Sequence, residues 1–117
     1  MTEDGDEFGK TLASGNLDGD GRDELLLGIP LENVGSATDA GLMTILWGAA
    51  GGFQAGEWTS YTQLYFGGEN ESGDRFGWAM VAGDFDGNGR DDVASSAPYE
   101  DFPDGSQNAG AVHIREY

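Results

Sequence analysis

The chain holds 117 residues, near the usual size of one domain and too few for two ordinary cores. Twenty-two acidic residues stand against five basic ones, a formal net charge of −17 with the single histidine neutral. A surface of that sign repels phosphate backbones and anionic lipid, so nucleic acid is excluded as an expected partner and cations are favoured. Cysteine is absent, which removes disulfides, thiolate metal sites and a cysteine nucleophile. No apolar run approaches the ~18 residues that span a bilayer, so membrane insertion is not expected. Any secretory leader is expected to lie outside these residues. With 38% hydrophobic and 11% aromatic residues the chain can still build a core, unlike disordered acidic sequences.

Glycine is the distinctive count, at 21, and it clusters between short apolar segments, where turns need positive φ. In chain order the predicted strands are residues 10–17, 24–29, 41–47 and 58–66, then 78–85, 92–97 and 110–116. Leu25-Leu26-Leu27-Gly28-Ile29, stopped by Pro30, is too short and too strongly punctuated for a helix. Residues 42–47 are mostly apolar, and residues 58–66, rich in Thr, Tyr and aromatics, supply a fourth strand. Ala111-Val112-His113-Ile114-Arg115 alternates apolar and polar, as a half-buried strand does. No window carries a convincing 3.6-residue period.

The chain repeats itself. Phe8-Gly9 recurs 68 residues on as Phe76-Gly77. The same offset carries Asp6 onto Asp74, Asp18-Gly19 onto Asp86-Gly87, Gly21-Arg22-Asp23 onto Gly89-Arg90-Asp91, and Pro30 onto Pro98. After a one-residue slip, Gly41 and Gly110 open matching apolar segments. Two units follow, residues 1–69 and 70–117, the second without the counterpart of residues 58–66. Three or four strands every ~60–70 residues is the period of a propeller blade rather than of a solenoid.

Two loops concentrate the chemistry: Asn16-Leu17-Asp18-Gly19-Asp20-Gly21-Arg22-Asp23-Glu24 and its repeat Asp84-Phe85-Asp86-Gly87-Asn88-Gly89-Arg90-Asp91-Asp92. Oxygen-bearing side chains at loop positions 1, 3, 5 and 9 converge if the chain curls around one point. Glycine at position 6 permits the sharp turn, and position 7 can offer its carbonyl. Hard, anionic oxygen ligands in this number suit Ca²⁺ better than a softer metal, and better than Mg²⁺, which resists giving up its waters. An EF-hand is excluded, because position 12 is Leu27 in one loop and Ser95 in the other, and both flanks read as strands. Asp-Gly and Asn-Gly are also ordinary turn dipeptides. Four acids in each nine-residue loop exceed what a turn needs, and they repel unless a cation neutralises them.

Phe-Gly, then an Asp-rich loop, then an apolar run ending near Gly-Ala-Pro resembles the FG-GAP repeat of integrin α-subunit β-propellers. The closing triplets here are Gly28-Ile29-Pro30 and Ser96-Ala97-Pro98. The resemblance implies an all-β fold of two propeller blades, a four-stranded antiparallel blade and an incomplete second one, with a Ca²⁺ loop joining the first two strands of each. It implies two Ca²⁺ sites: Asn16, Asp18, Asp20, the carbonyl of Arg22 and Glu24; then Asp84, Asp86, Asn88, the carbonyl of Arg90 and Asp92. The extra methylene of Glu24 changes the reach of the first site.

The resemblance further implies a non-catalytic module for adhesion or protein interaction, placed outside the cell or at its surface. Its partners would be a protein ligand or other blades. Self-association is expected, because Phe8, Trp47, Phe76 and Trp78 exceed what two blades can bury between them. The rival reading is an accessory propeller module of a secreted enzyme, possibly carbohydrate-binding through Trp47, Trp58 or Trp78; a bare self-assembling module is the third. His113 is expected to be solvated rather than a base, and no motif supports Ser95 or Ser96 as a nucleophile. Glu32, Asp39, Glu100, Asp101 and Asp104 are expected to form a solvated acidic rim.

Overall fold

A computed structural model describes residues 3–117. Its strands are β1 (Thr11–Gly15), β2 (Glu24–Ile29), β3 (Leu42–Leu46), β4 (Trp58–Tyr61), β5 (Met80–Gly83), β6 (Asp92–Ala97) and β7 (Ala111–Arg115). They form two antiparallel meanders, a four-stranded sheet in the order β1-β2-β3-β4 and a three-stranded sheet in the order β5-β6-β7. All seven predicted strands are present, most of them a residue or two shorter at the ends.

The larger correction is at residues 58–66, where the strand stops at Tyr61 and Gln63–Phe66 is a 3-10 helix. Tyr61 pairs with Met43, and β3 begins one residue before Met43, so beyond Tyr61 the ladder runs out of partner. The chain then turns, closes on Gly67 in the left-handed region (φ 86°), and delivers Phe66 against Phe76 with ring centroids 5.1 Å apart.

The two sheets pack face to face. Register puts Ala13, Leu26 and Ile45 in one row across the first sheet, with Met43 on the same face. That face meets Phe76, Met80, Val93 and Ala97 of the second unit in a common core, where Leu26, Met43, Ile45, Phe76, Val93 and Ala97 are wholly buried. Burying an aliphatic or aromatic side chain of this size contributes about 1.5–3 kcal/mol, so this seam is the main apolar bond between the units. Gly28 and Gly41 make the seam possible. A Cβ on Gly28 would strike the Gly77 carbonyl oxygen, and one on Gly41 would strike the backbone of Phe76. Across the same line Phe76 N–H donates to the Ala40 carbonyl at 2.9 Å, and the Thr11 hydroxyl donates to the Trp78 carbonyl at 2.6 Å.

The aromatics expected to stay uncovered thus have different fates. Phe76 is fully buried, whereas its counterpart Phe8 is 55% exposed. Trp47 packs against the core, and Trp78 lies between Lys10 and Arg75 at cation–π distances of 5.4 and 5.6 Å.

Candidate metal centres

The β1–β2 and β5–β6 connections are the two acidic loops, and their turns are built by the acids themselves. In the first, Asn16 Oδ1 accepts from Gly19 N–H (3.0 Å), Asp18 Oδ1 from Asp20 N–H (3.0 Å) and Asp20 Oδ1 from Arg22 N–H (2.8 Å). In the second, Asp84 accepts from Gly87, Asn88 and Gly89, Asp86 from Asn88, and Asn88 Oδ1 from Arg90, at 2.7–3.0 Å. Such side-chain to backbone bonds are the standard turn chemistry of Asn and Asp. At position 6, Gly21 and Gly89 share the same φ of 89°, which L-residues rarely adopt.

The loops bring carboxylates together. One oxygen each from Asp18, Asp20 and Glu24 lies within 4.8 Å of the others, and the same holds for Asp84, Asp86 and Asp92. At such separations three ionised carboxylates repel strongly unless a cation sits among them. Backbone donation by Gly89, then by Gly87 and Asn88, holds Asp84 below the usual carboxylate range. Arg22 does the same for Asp20, first through its N–H and then through its guanidinium, which pairs with Asp20 Oδ2 at 2.7 Å. Glu24 is pushed the other way, by burial and then by the charge of Asp18. The donor set is hard, anionic and preshaped, which fits a divalent cation of the Ca²⁺ type.

Position 9 does more than the sequence suggests. Glu24 and Asp92 are both fully buried. Glu24 Oε2 accepts from Leu17 N–H (2.7 Å) and Oε1 from Gly48 N–H (3.3 Å). Asp92 Oδ2 accepts from Phe85 N–H (3.0 Å) and Oδ1 from Tyr117 N–H (2.9 Å). Each acid ties the start of its loop to the far end of the third strand. The extra methylene of Glu24 reaches the corresponding pair of N–H groups while keeping an oxygen beside Asp18 and Asp20.

A third carboxylate group, Glu71, Asp74 and Glu100, also lies within 4.8 Å. Asp74 is 1% exposed and Glu100 9% exposed, Glu71 N–H donates to Asp74 at 3.2 Å, and the Gln63 amide donates to Glu100. Burial, then the charge of Glu100, pushes Asp74 up to about 7. Its sequence signal was the 68-residue offset, which carries Glu3, Asp6 and Glu32 onto these three acids. The expected solvated rim is corrected accordingly: Glu32 and Glu100 are buried, Asp39 is half-buried, and Asp101 and Asp104 are exposed turn formers, accepting from Asn108 and Ser106.

His113 is corrected too. It is half-buried with its ring edge-on to Phe76 at 6.0 Å, and its Nε2 is buried without a hydrogen-bond partner. Gly68 of the first unit also stands against the ring, whose Cε1 lies 2.8 Å from where a Cβ on Gly68 would be, a cover invisible in the alternation of β7. Ser95 is buried in the core, and the Ser96 hydroxyl accepts from Ala79 N–H at 3.0 Å, so each has a structural setting.

Two meanders with an Asp-rich connection at the first hairpin of each define a class of repeat. The FG-GAP repeat family model matches residues 8–46 and 76–114, so the chain belongs to the FG-GAP repeat family and its two sheets are β-propeller blades. It is 38% identical over 115 residues to integrin alpha-PS2 of Drosophila melanogaster, an alignment covering 94% of this chain and 8% of that protein. The chain therefore spans a small part of the relative it matches.

Proposed function

We propose that this chain is a pair of Ca²⁺-stabilised propeller blades, non-catalytic, serving adhesion or protein interaction outside the cell or at its surface. The observation that carries the reading is the convergence of three carboxylates at the same place in both repeats. Its placement rests on the similarity to an integrin alpha chain. The ligands would be Asn16, Asp18, Asp20, the Arg22 carbonyl and Glu24 in blade 1 (residues 1–69), and Asp84, Asp86, Asn88, the Arg90 carbonyl and Asp92 in blade 2 (residues 70–117). Bound Ca²⁺ supplies charge neutralisation; the chain supplies preshaped turns and the buried position-9 acid that anchors each loop to its sheet. Among the described residues no helix is long and apolar enough to cross a membrane.

The outer faces favour other blades as partners over a sugar. The face of blade 1 that carries Leu12, Leu25, Leu27 and Ile29 corresponds, 68 residues on, to Met80, Val93, Ser95 and Ala97, the face that packs on blade 1. Ile29 of that face, with Leu42, Thr44 and Leu46 of β3, lines a mostly apolar groove of about 350 Å³ beside Phe8 and Trp58. At the other end Val112 and Ile114, 67% and 56% exposed, correspond to the buried Met43 and Ile45. The two outer faces are thus the counterparts of the two halves of the contact already made once within the chain, with Leu12 exposed but Leu27 and Ile29 already covered within blade 1. The partner they fit head to tail is a further blade or a second copy.

Calcium titration by calorimetry, with thermal melting in Ca²⁺ and in EGTA, tests the site. Two bound ions and a higher melting temperature are expected; no heat and no shift would refute it. Light scattering in Ca²⁺ buffer tests self-association, and a mass of one chain at high concentration counts against it.

A further inference from the structure

Asp91 is the acid of the second loop that the ligand pattern leaves over, at position 8 between the Arg90 carbonyl and Asp92. It reaches the other loop. Asp91 Oδ2 accepts from Asn16 N–H at 2.8 Å, and the Asn16 carbonyl accepts from Asp91 N–H at 2.9 Å, a two-way clasp onto position 1 of the first loop. Room for it comes from Gly15, where a Cβ would stand 2.8 Å from Asp91 Oδ2 and 2.7 Å from the Ala82 methyl. Beside it the Arg90 side chain lies over Gly19, at position 4, its Cγ 3.3 Å from where a Cβ would be. Asp23, the counterpart of Asp91 in the first loop, is exposed and makes no such contact among the described residues.

The geometry points to a coupling of the two cation loops through Asp91, which positions Asn16 for the first site so that filling either loop raises the affinity of the other. This inference rests on the Ca²⁺ reading above. Residues 90–92 carry both the position-7 carbonyl and the position-9 carboxylate of the second loop. An ion held there orders the backbone that presents the Asp91 N–H and carboxylate to Asn16. The ordering cost at Asn16 is then met before the first loop fills, and linkage makes the effect reciprocal.

The test is Ca²⁺ calorimetry on the full chain. Asp86→Ala disables the second loop while leaving Asp91 in place; it is expected to weaken first-loop binding by roughly 5–20-fold, within the usual range of site-to-site coupling. Asp91→Ala removes no ligand, so two ions still bind, but first-loop affinity becomes independent of Asp86. Asp91→Asn keeps an oxygen acceptor for Asn16 N–H and is expected to restore most of the coupling, which separates positioning from general loss of structure. The Asn16 amide resonance provides a second readout, shifting when the second loop fills in the wild type and not in Asp91→Ala. First-loop affinity unchanged by Asp86→Ala, or coupling that survives Asp91→Ala, overturns the inference. Two independent sites in the wild type sink the coupling alone, whereas no Ca²⁺ heat at all sinks the cation reading with it.

Discussion

Replacing Asp92 with alanine separates the two jobs assigned to position 9. Its carboxylate accepts from Phe85 N–H at 3.0 Å and Tyr117 N–H at 2.9 Å while fully buried. Hydrogen bonds to a charged group contribute about 1.5–3 kcal/mol each, and an orphaned buried donor costs a comparable amount. Losing both costs up to about 3–6 kcal/mol without any ion, offset in part by relief of the repulsion with Asp84 and Asp86, and is still a large part of a typical stability of about 5–15 kcal/mol. Asp86 offers the contrast, since it is exposed and its bonds go to Asn88 within the same turn. Asp86→Ala should therefore cost under about 1 kcal/mol in chelator, as surface turn positions do. Urea unfolding followed by tryptophan fluorescence in EGTA measures both. Asp92→Ala is expected to lower the midpoint strongly and Asp86→Ala hardly at all, while each abolishes the Ca²⁺-dependent gain from the second loop. If the two variants are equally stable in EGTA, the clasp role of the buried acid is wrong.

Three further outcomes are expected. Free Ca²⁺ at a hundred times Kd should add about 2.7 kcal/mol for each filled site, read as a rise in melting temperature that EGTA reverses and that Asp18→Ala cuts by more than half, because the coupled second loop is weakened too. In EGTA, stability should fall as pH rises from 5 to 7.5, because Asp74 (pushed up to about 7), Glu24 and Glu32 all titrate above their unfolded values. The folded chain then holds protons the unfolded chain has released, so the stabilisation is full at low pH and lost through that window. Asp74→Asn should flatten the slope in a melting series. Gly28→Ala should destabilise by about 1–3 kcal/mol, since the obstructing atom is the Gly77 backbone carbonyl rather than a movable side chain; wild-type stability would show that the blade seam is looser than described.

Strands, turns and the two loops were legible along the chain because each is a local device. Alternation and Pro30 mark β2, paired glycines at position 6 mark the loop reversals, and acids at positions 3, 5 and 9 of the first loop and 1, 3 and 9 of the second mark the carboxylates that converge. The 68-residue offset alone marks two units. What escaped was set by partners far away in sequence. The 58–66 segment has strand composition throughout, yet it breaks at Tyr61 because β3 offers no further ladder and Phe66 finds Phe76. Glu100 looks like a rim acid until Gln63 and Asp74 close over it. Asp91 looks like a fourth loop acid until Asn16 arrives beside it.

The amino-acid order by itself determined the repeat, the strand count and the acidic residues that each loop gathers, because these depend on residues within a few positions of one another. Only the tertiary structure decided which acids are buried, which of Phe8 and Phe76 is covered, and which loop touches the other. Those outcomes depend on how two sheets meet, and a buried charge or an inter-sheet clasp leaves no periodic trace in either partner.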